Sequence, residues 1–155
     1  MAGHADTLQD LRQPTRSLRH AIPATWAGFT SLHDAAMADG DVPTRIKEAT
    51  ALAISVVKRC DGCIAYHAKA AARAGATPGE VAELLGVALL MDGGTASVYA
   101  PRAWEAYNEF RASTTGDSWR DVPPAVVEVA RDLDDRRDLA DEASGRNGDQ
   151  RPAAR

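Results

Sequence analysis

The stretch Cys60-Asp61-Gly62-Cys63-Ile64-Ala65-Tyr66-His67-Ala68-Lys69-Ala70-Ala71-Ala72-Arg73-Ala74-Gly75-Ala76-Thr77-Pro78-Gly79-Glu80-Val81 carries the clearest structural signal in the chain. From the cysteines to Ala74 it is dominated by alanine, the best helix former. Gly75 then supplies a stop, because glycine enters the left-handed conformation that closes a helix at no steric cost. Two residues later, Thr77-Pro78-Gly79-Glu80 has the form of a capping box, with Thr77 as N-cap, Pro78 at the first helical position and Glu80 at the third. Val81, Leu84, Leu85, Ala88 and Leu89 follow at helical spacing. Helix, stop, helix, with no period-two alternation, predicts an all-α fold.

Working outward, Pro43 opens a helix with Ile46, Ala49, Ala53, Ile54 and Val57 on one face. Before it, residues 23–38 read as a helix with Pro23 in its first turn, with Trp26, Phe29, Leu32 and Ala36 facing inward, ended by Asp39-Gly40-Asp41. Residues 5–21 have Leu8, Leu11 and Leu18 at near-helical spacing, but Pro14 interrupts them and predicts two short pieces. Downstream, Asp92-Gly93-Gly94 breaks the chain, and residues 95–110 read as a helix kinked at Pro101. Residues 122–139 carry Val126, Val129 and Leu133 opposite a charged face, while residues 144–155 have no apolar periodicity. The expectation is one domain over residues 1–142, a helical bundle of six to eight helices, followed by a disordered tail over 143–155.

Composition narrows the function classes. The chain has 155 residues, enough to bury a core, and 45% of them are hydrophobic. Aromatics are only 5%, which suits a core of closely packed alanine-rich helices. The net charge is -4 and no basic patch stands out in the sequence, so no nucleic-acid partner is expected. The longest apolar stretch, residues 81–91, is interrupted by Glu83 and Gly86 and falls far short of the ~20 residues that span a bilayer, so no membrane partner is expected. The N-terminus has no apolar signal segment, and a reducing cytoplasm is the expected location. Alanine-rich faces such as residues 68–72 look too flat and apolar to be covered within one chain, which predicts an oligomer.

In such a chain, two cysteines three positions apart point to redox chemistry or metal binding. Cys60, Cys63 and His67 share one helix face if the segment is helical. A helix N-terminus stabilises a thiolate through its free N–H groups and dipole, Lys58 and Arg59 add positive charge, and His67 can act as general base toward Cys63. Against this stand a pair of buried small hydrophobes, or zinc. Zinc needs about four ligands and these residues supply three at most, so no metal or other cofactor is expected. Haem attachment needs a histidine directly after the second cysteine, where Ile64 stands. His4, His20 and His33 lack such neighbours: His4 reads as part of a disordered end, His20 as a surface residue near a helix end, and His33 as a helix-surface residue, with pocket lining as its alternative.

Glu48, then CDGCIAYH twelve residues on, then ATPGEVAELLGVALLMDGG and TASVYAPRAWEAYNEF form a combined signature. Over residues 45–110, and more weakly over 26–37, the chain resembles the carboxymuconolactone decarboxylase-like family and, within it, the AhpD-like alkylhydroperoxidase branch. The resemblance implies an all-helical fold assembling as homotrimers or homohexamers. It implies that Glu48 and His67 help deprotonate a cysteine, that Cys63 forms a sulfenic acid on meeting a small alkyl hydroperoxide, and that Cys60 closes the disulfide. A thiol or dithiol donor, such as a lipoyl protein, then restores the pair. Members of the family can carry a histidine where Gly62 stands here, and the decarboxylase branch proper generally lacks the paired cysteines. Two alternatives remain: a lyase of the decarboxylase type using His67 and Glu48 as acid and base, and a non-catalytic helical oligomer that senses oxidants.

A proton relay imposes a condition on the fold. In one unbroken helix Glu48 lies about 18 Å from Cys60, at ~1.5 Å per residue. Either the helix breaks between Lys58 and Cys63, folding Glu48 back beside His67, or another element brings them together. Outside the resemblance, Glu48 reads as a solvated residue on a helix face.

Overall fold

A computed structural model of the protein describes residues 3–115. Among them are six helices and no strand: α1 (His4–Ala21), α2 (Pro23–Met37), α3 (Thr44–Lys58), α4 (Asp61–Arg73), α5 (Pro78–Asp92) and α6 (Gly94–Thr115). The predicted helix over 122–139 and the tail over 143–155 lie outside the described residues.

The core is built from α3 to α6, with α4 packed between α3 and α6, and α5 against α3 and α6. Its largest fully buried side chains are Tyr107, Leu52, Ile64, Val56 and Val81. Around them Ala49, Ala68, Ala71, Ala96, Ala103 and Ala106 are buried at the helix contacts, where a methyl side chain lets backbones approach closely. The Tyr107 hydroxyl donates to the Ala76 carbonyl at 2.5 Å, tying α6 to the link between α4 and α5. The capping box forms: the Glu80 amide donates to Thr77 Oγ1 at 3.2 Å and the Thr77 amide to Glu80 Oε2 at 2.8 Å. Arg45 Nε adds a bond to Glu80 Oε1 at 3.0 Å, linking α3 to the start of α5.

Four expectations need correction. The first concerns α1, which is one helix running through Pro14. None of its residues is buried, so the carbonyl that Pro14 leaves without a donor faces water. The second concerns α2, whose apolar residues do not face a core. Phe29 and Leu32 are 61% and 67% exposed, because α2 packs only sparingly on its neighbours α1 and α3. The third concerns α3, whose buried stripe is rotated from the expected face. Leu52 and Val56 are fully buried while Ile54 and Val57 point outward, the choice being set by the partners α4, α5 and α6. The fourth concerns residues 68–72, which give no ground for an oligomer: Ala68, Ala71 and Ala72 are covered within the chain. The most exposed large apolar side chains among the described residues are instead Phe29, Leu32, Leu90 and Met91.

Candidate active site

The break demanded by the Glu48 distance occurs between α3 and α4. Arg59 caps α3 in the left-handed conformation at φ 56°, and it is the one non-glycine residue with positive φ among those described. Its amide bonds the Val56 carbonyl at 3.0 Å, and the Cys60 amide bonds that of Ser55 at 3.2 Å. These bonds satisfy carbonyls that the helix end would leave open. Cys60 is then the N-cap of α4, and its Sγ accepts from the Cys63 amide at 3.2 Å. Cys60 and Cys63 are joined as a disulfide, with Cα atoms 5.1 Å apart. Both sulfurs therefore sit where α4 presents its unpaired N–H groups and the positive end of its dipole, the setting that favours a thiolate once the bond is reduced.

The same reversal lays α3 alongside α4 in the opposite direction. Glu48 Oε2 comes to 2.8 Å from His67 Nδ1. The Glu48 side chain is 6% exposed and that of His67 19%. The solvated-helix-face reading of Glu48 is thus excluded. A carboxylate this buried needs a partner, and the imidazole is it. With Nδ1 held by Glu48, Nε2 is the ring nitrogen left to take or give a proton. The structure brings together all four residues singled out in the sequence: Glu48 with His67 on facing helices, and Cys60 with Cys63 at the N-terminus of the helix that carries His67.

Two residues the sequence did not single out complete the surroundings. The ring of Tyr66 stands edge-on to His67, centroids 5.1 Å apart, and to His33 of α2 at 6.0 Å. Burial, with the Glu48 and Asp34 carboxylates adding to it, pushes the Tyr66 phenol above its ordinary range. His33, read from the sequence as a surface residue, is partly covered: its Nδ1 lies 3.4 Å from Asp34 and its Nε2 is buried. Tyr66 adjoins His67 within the signature and was within reach of sequence reasoning; the placement of His33 depends on α2 and carries no local signal. Arg102 of α6 reaches Asp61 at 3.8 Å and Arg59 reaches Asp92 at 4.0 Å, fastening the cysteine turn from two sides. Among the described residues no cluster of three or more His, Cys, Asp or Glu side chains is arranged to hold a metal.

The glycine between the cysteines also has a physical account. A Cβ placed on Gly62 would lie 2.9 Å from Leu11 Cδ1 of α1. The space that a larger side chain would use is filled from above by α1.

A family model described as the carboxymuconolactone decarboxylase family matches residues 23–106, more than half of the chain. The chain belongs to this family. An uncharacterised protein of Cupriavidus necator is 33% identical over 105 residues, covering 68% of this chain and 93% of that one. An uncharacterised protein in the cox locus of Paracoccus denitrificans is 36% identical over 81 residues, 52% of this chain and 73% of its own. The crystal structure of an apo carboxymuconolactone decarboxylase family protein from Legionella pneumophila is similar at a TM-score of 0.68 and 36% identity, covering 70% of this chain and 96% of that one. A family protein from Thermotoga maritima with a suggested role in antioxidative response is similar at a TM-score of 0.57 and 28% identity, covering 68% and 94%. No helix of the described residues is long and apolar enough to cross a membrane.

Proposed function

We propose that this family member is an AhpD-like thiol peroxidase, a disulfide oxidoreductase that reduces small alkyl hydroperoxides through Cys60 and Cys63. The observation that carries the reading is the buried pair at 2.8 Å between Glu48 of α3 and His67 of α4, the helix whose N-terminus bears both sulfurs. The suggested antioxidative role of the Thermotoga maritima relative supports it.

In the reduced state His67 Nε2 accepts the Cys63 proton, and Glu48 stabilises the imidazolium that results. The thiolate attacks the terminal peroxide oxygen: an S–O bond forms, the O–O bond breaks, and the alkoxide leaves as alcohol with the proton from His67. The Cys60 thiol then displaces water from the sulfenic acid, forming the S–S bond. The sum is one hydroperoxide and two thiols giving one alcohol, one water and one disulfide. A thiol or dithiol donor, a lipoyl protein being one such class, reduces the disulfide by exchange. The chain works as a homotrimer or homohexamer in a reducing cytoplasm, with its open apolar residues on α2 and α5 as contact surface.

The test is oxidation of the reduced protein by tert-butyl hydroperoxide. One equivalent closes the disulfide in the wild type, and Cys63→Ser abolishes turnover; unchanged turnover in Cys63→Ser overturns the assignment. The Glu48–His67 pair needs no sulfur, which supports a second reading as a lyase with acid–base chemistry. Lactone decarboxylation that survives the Cys60→Ser/Cys63→Ser double change favours that reading.

A further inference from the structure

A groove of about 1030 Å³ runs between α1 and α2 and ends against α4 at Gly62 and Tyr66, the first lying between the two cysteines and the second beside His67. Its floor is apolar, with Leu8 and Leu11 from α1 and Pro23, Trp26 and Ala27 from α2. Its charged lining is of one sign: Arg12, Arg16 and Arg19 project from α1, with His20 beside them, and no carboxylate lines it.

The arginines carry the argument. Offsets of four and three residues put them on one helix face, where like charges repel and destabilise an isolated helix. Neighbouring carboxylates normally relieve such a row, yet none of the three has an ion pair within 4.0 Å among the described residues. A row of guanidinium groups with no ion pair among the described residues, set beside an apolar trough, is complementary to one kind of small molecule, an anion with a hydrocarbon body.

We infer that this groove is the substrate-binding site and selects hydroperoxides of aliphatic carboxylic acids, the carboxylate on Arg16 and Arg19 and the chain along Leu11 and Trp26, with the peroxide at the dithiol. The inference rests on the peroxidase reading and adds the substrate class to it. The register gives the chain length. Leu11 touches the cysteine turn at Gly62. Arg16 and Arg19 lie five and eight residues further along α1, roughly 7 and 12 Å at 1.5 Å per residue. With C–C bonds of about 1.5 Å in a zigzag, that span corresponds to roughly six to ten carbons between carboxylate and peroxide.

Two measurements on the full chain separate this inference from the peroxidase reading. Calorimetric titration uses octanoate and its neutral analogue octanamide as probes. Octanoate binds more tightly than octanamide, added salt weakens it, and Arg16→Gln/Arg19→Gln weakens it roughly tenfold, the scale of a charge-assisted hydrogen bond. Equal binding of the two probes, or octanoate binding untouched by the double change, overturns the groove. The second measurement compares oxidation rates for a fatty-acid hydroperoxide, its methyl ester and tert-butyl hydroperoxide. The double change lowers the rate for the acid alone, to that of the ester. If tert-butyl hydroperoxide is reduced but acid and ester react alike, the substrate class is wrong and the peroxidase stands. If no hydroperoxide oxidises the dithiol, the peroxidase reading falls, and octanoate binding then marks an anion site without a peroxide role, which also overturns this assignment.

Discussion

Replacing Glu48 with glutamine keeps the shape of the side chain and removes its charge, which isolates what the carboxylate does for His67. The amide oxygen still accepts from Nδ1, so the fold and the ring orientation survive. What is lost is the attraction between a buried carboxylate and the imidazolium that forms as Cys63 gives up its proton. At an effective dielectric of about 20, two unit charges about 4 Å apart attract by roughly 4 kcal/mol. The His67 side chain is 19% exposed, so water screens part of this, and about half, roughly 2 kcal/mol, is a reasonable share. Each ~1.4 kcal/mol is tenfold in rate, so Glu48→Gln slows dithiol oxidation about 30-fold. The assay is rapid mixing of reduced protein with excess tert-butyl hydroperoxide, quenched with an alkylating agent and read as thiols remaining. Alkylation of Cys63 without peroxide should slow in parallel, because it depends on the same thiolate and a general loss of fold would instead speed it. Oxidation and alkylation within about twofold of the wild type, with an unchanged melting temperature, refute the relay and leave Glu48 a structural partner of His67.

Three further outcomes follow from the fold. Tyr107→Phe leaves the Ala76 carbonyl without its donor at a buried site, costing about 1–2 kcal/mol and lowering Tm by roughly 3–8 °C in a thermal melt. Burial holds the Tyr107 phenol above its usual value of 10.0, so the wild type loses stability as pH rises past that value, where the unfolded chain ionises first; the Phe variant lacks this contribution to the alkaline slope. Glu80 is held below its usual 4.5, first by the Thr77 amide and also by Arg45, so its contribution is present above 4.5 and lost as pH falls through the lowered value. The stability gap between wild type and Glu80→Gln in urea titrations, about 0.5–1 kcal/mol at neutral pH, should therefore close in acid. Gly62→Ala sets a close approach to a mobile Leu11 methyl against a gain in helix propensity of about 1 kcal/mol, and its Tm should lie within a few degrees of the wild type.

Legibility followed the range of the interaction. The cap at Thr77 and Glu80, the stop at Gly75 and the position of Cys60 at a helix start are decided within a few residues, and each was readable from the sequence. The face of α3 was not. Ile54 and Val57 are as apolar as Leu52 and Val56, and which pair is buried depends on the directions from which α4, α5 and α6 arrive. Phe29 and Leu32 failed for the related reason that periodicity identifies an apolar face without saying whether the same chain covers it. Pro14 was misjudged because a proline inside a helix is tolerated where water can take over the freed carbonyl, and α1 has no buried residue.

The active-site residues fall on both sides of this division. Cys60, Cys63 and His67 announce themselves by spacing, while Glu48 is nineteen residues from His67 and joins it only through the left-handed turn at Arg59. That turn links the two halves of the chemistry. It ends α3 so that Glu48 can lie back beside His67, and it starts α4 so that Cys60 caps a fresh helix N-terminus. An unbroken helix through residues 44–73 would keep the same local spacing of cysteines and histidine, yet would leave the sulfurs beside hydrogen-bonded amides and Glu48 about 28 Å from His67 by helical rise. A non-glycine residue in this conformation costs about 1–2 kcal/mol, and the fold bears that strain at the one point where it creates both the thiolate site and its proton relay.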